Sequence, residues 1–234
     1  MANQGSNNVS AFTINSANGA LASVGSPFAA GTGPRAVTVD PSGRWAYVVN
    51  QGANSLSVFA VNRLSGDLTA VGAAVAVGTT PRAVTVDPSG RFVYVANETS
   101  NNVSVFRINN STGALTAVSV PVAVGTNPVS VTVDPSGRFA YVVNQGANTV
   151  SVLAINGMTG ALTTVGAPIA AGTSPISISV EPRGQRAYVA NFGSNNLSAF
   201  TIDGSTGALT ALGTFVDASP VSAPYNISTS GVLQ

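Results

Sequence analysis

The sequence contains no cysteine, no histidine and no lysine. Without cysteine there are no disulfides, thiolate nucleophiles or cysteine metal sites, and the redox compartment stays open. Without histidine there is no Ser-His-Asp triad, no imidazole base and no histidine-ligated zinc. Charge is scarce too. Charged residues make up 7% of the 234 positions, against about 25% in an ordinary soluble domain. Nine arginines face eight acids, for a formal net charge of +1. Nucleic acid and anionic membranes both require clustered positive charge, so neither is an expected partner. No apolar run reaches the roughly 18 residues of a membrane helix. Met1-Ala2-Asn3-Gln4-Gly5 lacks the basic-then-apolar pattern of a signal peptide. The Asn, Ser, Thr, Gly and Ala richness nevertheless suits a bacterial secreted or periplasmic protein.

What is present is a repeat, the first thing to seek in such a chain. Pro34, Pro81, Pro128 and Pro175 lie 47 residues apart. Tyr47, Tyr94, Tyr141 and Tyr188 keep the same step, as do Asp40, Asp87, Asp134 and Glu181. Phe12, Phe59, Phe106, Leu153 and Phe200 extend it to five copies, as do Gly19, Gly66, Gly113, Gly160 and Gly207.

Each copy reads as four strands. Arg35 to Val39 alternates and ends in Asp40-Pro41-Ser42-Gly43, which has the residue order of a type I turn. Trp45 to Val49 is aromatic and β-branched, as strands prefer. Leu56 to Val61 gives a third strand, and Leu68 to Val77 a looser fourth. Asn18-Gly19 and Asn156-Gly157 read as tight hairpin turns. No segment carries a 3.6-residue apolar period, so essentially no helix is expected.

Four short strands in about 47 residues are the pattern of a propeller blade. The fold class expected is all-β: a five-bladed β-propeller of four-stranded antiparallel blades forming one domain over residues 1–234. Blades are expected at 34–80, 81–127, 128–174 and 175–218. A composite blade of 1–33 with 219–234 is expected to close the ring, because an open stack would leave bare edges. A monomer is the expected state, with strand exchange between similar copies as the alternative.

Val-Asp-Pro-Ser-Gly-Arg-Phe-Val-Tyr-Val-Ala-Asn (86–97) and Ser-Thr-Gly-Ala-Leu-Thr-Ala (111–117) resemble the lactonase-like, YVTN-type β-propeller family. The resemblance runs over nearly the whole chain. It implies a propeller whose relatives are usually seven-bladed, some of them similar to 6-phosphogluconolactonase or to cycloisomerases. This chain has five repeats and no histidine.

The loops joining fourth to first and second to third strands share one face of such a propeller. That face should carry Arg35 and Arg82 near the channel mouth, where later copies have Val129 and Ile176. Two arginines there are candidates for an anion or carboxylate clamp. Glu98, the one acid in the Asn-rich turns, is the candidate base, with no acid partner in view. Asn50, Asn97, Asn144 and Asn191, with Asn3, recur once per blade. They read either as a polar ligand ring or as turn residues that bond their own backbone and accept left-handed angles. The acids of the Asp-Pro turns are too far apart for one calcium ion. Each is expected to pair locally with Arg44, Arg91, Arg138 or Arg186, for about 0–1 kcal/mol if exposed. No metal and no cofactor are expected. The missing residue types favour a non-catalytic propeller, either a binding or scaffold module or a laboratory-derived one. A lactonase-like hydrolase using Arg35, Arg82 and Glu98 is the alternative, and a fragment that completes itself by self-association is a third reading. The ligand expected is an unidentified small molecule, or none.

Overall fold

The computed structural model describes residues 1–216 and 224–229. Among them there is no helix, and every strand pairing is antiparallel. The third repeat shows how one unit is built. Its inner strand Pro81–Val86 pairs with Phe92–Asn97, which pairs with Asn102–Ile108. The fourth strand is split into Leu115–Ala117 and Val122–Ala123, both on Asn102–Ile108. The second and fourth repeats are alike, whereas in the fifth the outer strand Leu209–Val216 is continuous. The split corrects the single loose strand expected from sequence. In the second repeat it falls where Gly72 turns to φ 63°, a conformation that side-chain-bearing residues resist.

The N-terminal repeat is less regular. Ala2–Asn3, Asn8–Val9 and Phe28–Ala29 form one small sheet, and Phe12–Ile14 with Leu21–Ser23 a separate hairpin. Phe12, Ile14 and Leu21 on that hairpin are exposed. The strand expected to complete this blade falls mostly on 217–223 and 230–234, outside the described residues. Residues 224–229 run beside the inner strand Pro175–Val180. There the Thr229 amide donates to Ser179 Oγ (3.1 Å) and the Thr229 hydroxyl to the Val180 carbonyl (2.8 Å).

Sheets stack face to face, so both faces are apolar. Tyr47, Val49, Leu56 and Val58 of one sheet meet Val93, Val95, Phe106 and Ile108 of the next. Two further clusters join the third repeat to the fourth and the fourth to the fifth. Polar latches cross the same seams. The Tyr141 hydroxyl donates to the Gly207 carbonyl at 3.1 Å, and Arg91 Nη2 to the Gly157 carbonyl at 2.6 Å. Burial pushes the phenols of Tyr47, Tyr94 and Tyr141 well above their ordinary range, so all three stay protonated; Tyr94 and Tyr141 donate across the seam, whereas the buried Tyr47 hydroxyl has no partner among the described residues.

The Asp-Pro turns are capped differently from expectation. Asp40 does not pair with the Arg44 guanidinium. Its carboxylate accepts from the Ser42 hydroxyl and amide and from the amides of Arg44 and Trp45. Arg44 Nε bonds Ser42 Oγ instead (3.1 Å). Asp87 and Asp134 repeat the arrangement. The amides and the serine hydroxyl of the turn occupy the carboxylate oxygens, and the arginine head bonds the serine instead. Asn156-Gly157 is likewise not a two-residue hairpin. It opens a five-residue turn in which Asn156 Oδ1 accepts from the amides of Met158 and Thr159.

Burial alone would raise the Asp40 carboxyl, but the Ser42 hydroxyl and the backbone amides outweigh it and hold the pKa below the ordinary value. The group therefore stabilises the fold fully above the usual carboxylate value of about 3.9, and the contribution fades as pH falls through the lower native value. Asp40→Asn is expected to cost about 1–3 kcal/mol at neutral pH. Melting curves should show its gap from the wild type narrowing below about pH 4.

Candidate functional site

Each inner strand begins with a proline and a β-bulge. In the third repeat Pro81 pairs with Asn97 and Ala83 with Ala96, which leaves Arg82 as the extra residue. The same shift isolates Arg35, Val129 and Ile176. A bulge re-aims the side chain it carries. Here all four line one cavity of about 190 Å³, together with Gln145, Phe192 and Tyr225.

A second repeat position joins them. Gln51, Glu98, Gln145 and Phe192 each follow the last residue of a second strand. Pro81 pairs with Asn97 and the Glu98 amide donates to the Thr80 carbonyl, so residues 82 and 98 flank the Pro81–Asn97 pair diagonally. Arg82 Nη1 donates to both oxygens of Glu98, at 3.0 and 2.9 Å. This is the one ion pair among the described residues, and its side chains are 25% and 17% exposed. Arg35 is exposed and makes no ion pair or hydrogen bond with any described residue. The mouth thus carries one neutralised pair and one free cation. Opposite them, the Phe192 and Tyr225 rings meet edge to face, with centroids 5.6 Å apart.

Of the residues singled out from sequence, Arg35 and Arg82 line one cavity, and Glu98 is bonded to Arg82 without lining that cavity. The asparagines do not line it. Asn50, Asn97, Asn144 and Asn191 have no exposed surface. Asn50 Nδ2 bonds Ser55 and Ser57 Oγ across the strand pair, and its Oδ1 accepts from the Gly31 amide (3.1 Å). Asn191 Oδ1 accepts from the Gly172 amide in the same way, whereas the buried Oδ1 atoms of Asn97 and Asn144 have no partner among the described residues; all four are closed to a ligand. The turn role expected of them belongs to other residues: Asn7, Asn54, Asn101, Asn148 and Asn195 take the left-handed angles. Gln145, Phe192 and Tyr225 were missed. Register could have exposed two of them, since they occupy the Glu98 position of their own repeats.

At both mouth positions the copies diverge: Arg, Arg, Val and Ile at one, Gln, Glu, Gln and Phe at the other. The buried asparagine just before is invariant across the same copies. The scaffold is held constant while the chemistry differs from blade to blade, which is how a site is placed on a repeat. Among the described residues no cluster of three or more acid, histidine or cysteine groups could hold a metal. No helix is long and apolar enough to cross a membrane.

Antiparallel four-stranded sheets stacked around a polar mouth define a β-propeller. Its sequence matches the profile described as lactonase, 7-bladed beta-propeller over residues 26–133 and 126–223. The chain belongs to that family. A solved structure from Bacteroides uniformis, assigned as a 6-phosphogluconolactonase, is 21% identical with a TM-score of 0.85, over 96% of this chain and 68% of that one. A Bacteroides fragilis structure with the same assignment is 23% identical with a TM-score of 0.83, over 96% and 68%. The periplasmic gluconolactonase of Pseudomonas aeruginosa is 23% identical with a TM-score of 0.77, over 92% and 66%. At this identity the likeness establishes the fold. A search of curated protein sequences finds no match. Family membership overturns the non-catalytic reading drawn from the missing residue types. Histidine and cysteine are not required for lactone opening, which a carboxylate and an arginine can carry.

Proposed function

We propose that this protein is a lactone hydrolase acting on a sugar lactone at the channel mouth. The observation that carries the reading is the Arg82–Glu98 pair, whose arginine lines one cavity with the free Arg35, in a lactonase-family propeller. Hydrolysis needs a water made nucleophilic, an oxyanion stabilised and a ring oxygen protonated. Each Glu98 oxygen keeps a lone pair beyond its bond to Arg82 and can accept a proton from water. The hydroxide adds to the lactone carbonyl, whose oxygen becomes an oxyanion facing the unused N–H groups of Arg82. The intermediate collapses by breaking the carbonyl carbon–ring oxygen bond. The proton on Glu98 passes to the departing oxygen, giving the open hydroxy acid and restoring the carboxylate.

The cavity lies below the roughly 300–1,000 Å³ of sites for larger ligands, which favours a monosaccharide. Arg35 supports an anionic substituent, such as the phosphate of a 6-phosphogluconolactone, because guanidinium matches phosphate with two parallel hydrogen bonds. Initial rates on phosphorylated and unphosphorylated gluconolactone test this, each measured in a pH-stat above the buffer rate. Arg35→Ala is expected to raise KM for the phosphorylated lactone about tenfold or more and to leave the neutral one nearly unchanged. Equal effects on both would remove Arg35 from substrate recognition.

A further inference from the structure

On the face opposite the channel mouth, the turn of the fifth repeat departs from its siblings. Where they read Asp-Pro-Ser-Gly-Arg and an aromatic residue, it reads Glu181-Pro182-Arg183-Gly184-Gln185-Arg186. The siblings use the serine to hold the acid and the aromatic to cover a glycine of the next blade. Phe92 and Phe139 lie against the Cβ directions of Gly160 and Gly207 in this way. The fifth copy gives up both features and places arginines at those two positions. Arg183 and Arg186 are exposed, and neither makes an ion pair or side-chain hydrogen bond with a described residue.

These two arginines and Arg138 of the fourth repeat line one cavity of about 590 Å³, three of the chain's nine arginines. That volume lies within the usual range for small-molecule sites. Arg138 is held in place by its stacking on Phe139 (5.3 Å), by Nε on Ser136 Oγ (3.3 Å) and by Nη2 on the Gly204 carbonyl. Of the acids nearby, Glu181 opens the same turn but does not line the cavity, and one of its oxygens is buried without a partner among the described residues. Asp134, on the wall, accepts from the amides of Ser136, Arg138 and Phe139 and from the Ser136 hydroxyl. Asp203, next to Gly204, is turned onto Ser205 and Thr206. Among the residues that line the cavity, three arginines face the single acid Asp134.

We infer that this cavity is a second binding site, specific for phosphate-bearing small molecules, and separate from the lactone site. Arg138 is the pre-positioned contact, and Arg183 and Arg186 close on the oxyanion from the other side. A phosphate fits because three guanidinium forks can meet its oxygens from different directions.

The experiment is amide-resolved NMR of the full chain at low ionic strength, titrated with inorganic phosphate and separately with glucose 6-phosphate. Arg183→Ser/Arg186→Phe restores the residues of the fourth repeat and should fold, which its melting temperature checks; Arg183→Ser alone is the milder variant. Phosphate is expected to shift the amides of 183–186 and 204. The double variant should weaken binding about tenfold or more, the single variant less, and Arg35→Ala not at all. Tighter binding of glucose 6-phosphate would assign the site to a phosphorylated metabolite, and equal binding to phosphate itself. No shift at millimolar ligand, an unchanged affinity in the double variant, or loss on Arg35→Ala would overturn the inference. Because this readout is binding at 183–186, it stands or falls independently of lactone hydrolysis.

Discussion

Replacing Glu98 with glutamine is expected to lower kcat for lactone opening by about 10²–10⁴-fold, the usual contribution of a positioned general base. Glutamine keeps the size and one acceptor oxygen, so it can still meet Arg82, but it cannot take a proton from water. The substitution also removes the charge that neutralises Arg82. A second cation at the mouth would hold an anionic substrate at least as well, so KM should stay level or fall while kcat collapses. That split separates a base from a merely structural partner of Arg82, whose loss would disturb both constants. The expected melting temperature is close to wild type, because the pair is partly exposed and such pairs contribute little to stability. A kcat reduced only severalfold would place the base elsewhere.

The largest expected effect on stability comes from Gly160→Val. Gly160 closes the turn of the fourth repeat with φ 79°, and a Cβ there would stand 2.2 Å from Cδ1 of Phe92 in the neighbouring blade. A left-handed angle costs a side-chain-bearing residue about 1–2 kcal/mol. Overpacking a closed seam adds about 1–3 kcal/mol, and a branched residue sits at the upper end. The ring cannot step aside, because Phe92 is 1% exposed and set among Tyr94 and Leu153. The expected loss of about 3–5 kcal/mol lowers the melting temperature by roughly 10 °C, at about 2–4 °C per kcal/mol for a chain of this size. Gly157, three residues earlier, has open space at its Cβ and no left-handed angle. Gly157→Val should therefore melt within a few degrees of wild type, and a similar fall in both variants would refute the seam as the cause.

The fold was legible because it is written in periodic positions. The 47-residue steps of proline, tyrosine and glycine mark strand starts, buried seams and turns, and each strand pairing repeats with them. The mouth was half legible. Arg35 and Arg82 stood out as the two charged residues among four equivalent positions. Their convergence depends on a bulge, however, which is a property of strand register and leaves no composition of its own. The same strand pairing sets Glu98 diagonally across from Arg82, within reach of its guanidinium, so a partner sixteen residues away was invisible until the strands were paired. The asparagines misled for a related reason. Two sets lie in one turn, four residues apart; one set is bent and the other buried, and their type is the same. Tyr225 comes from a stretch outside the repeat and could be placed only by the hydrogen bonds that hold 224–229 against Pro175–Val180.

The central claim is that the channel mouth opens lactones, and the initial rate of the wild-type chain on 6-phosphogluconolactone in a pH-stat tests it most directly. The account predicts acid release in proportion to protein concentration, well above the buffer rate, and its disappearance in the Arg35→Ala/Glu98→Gln double variant. A wild-type rate equal to buffer, or a rate that survives in the folded double variant, would contradict it.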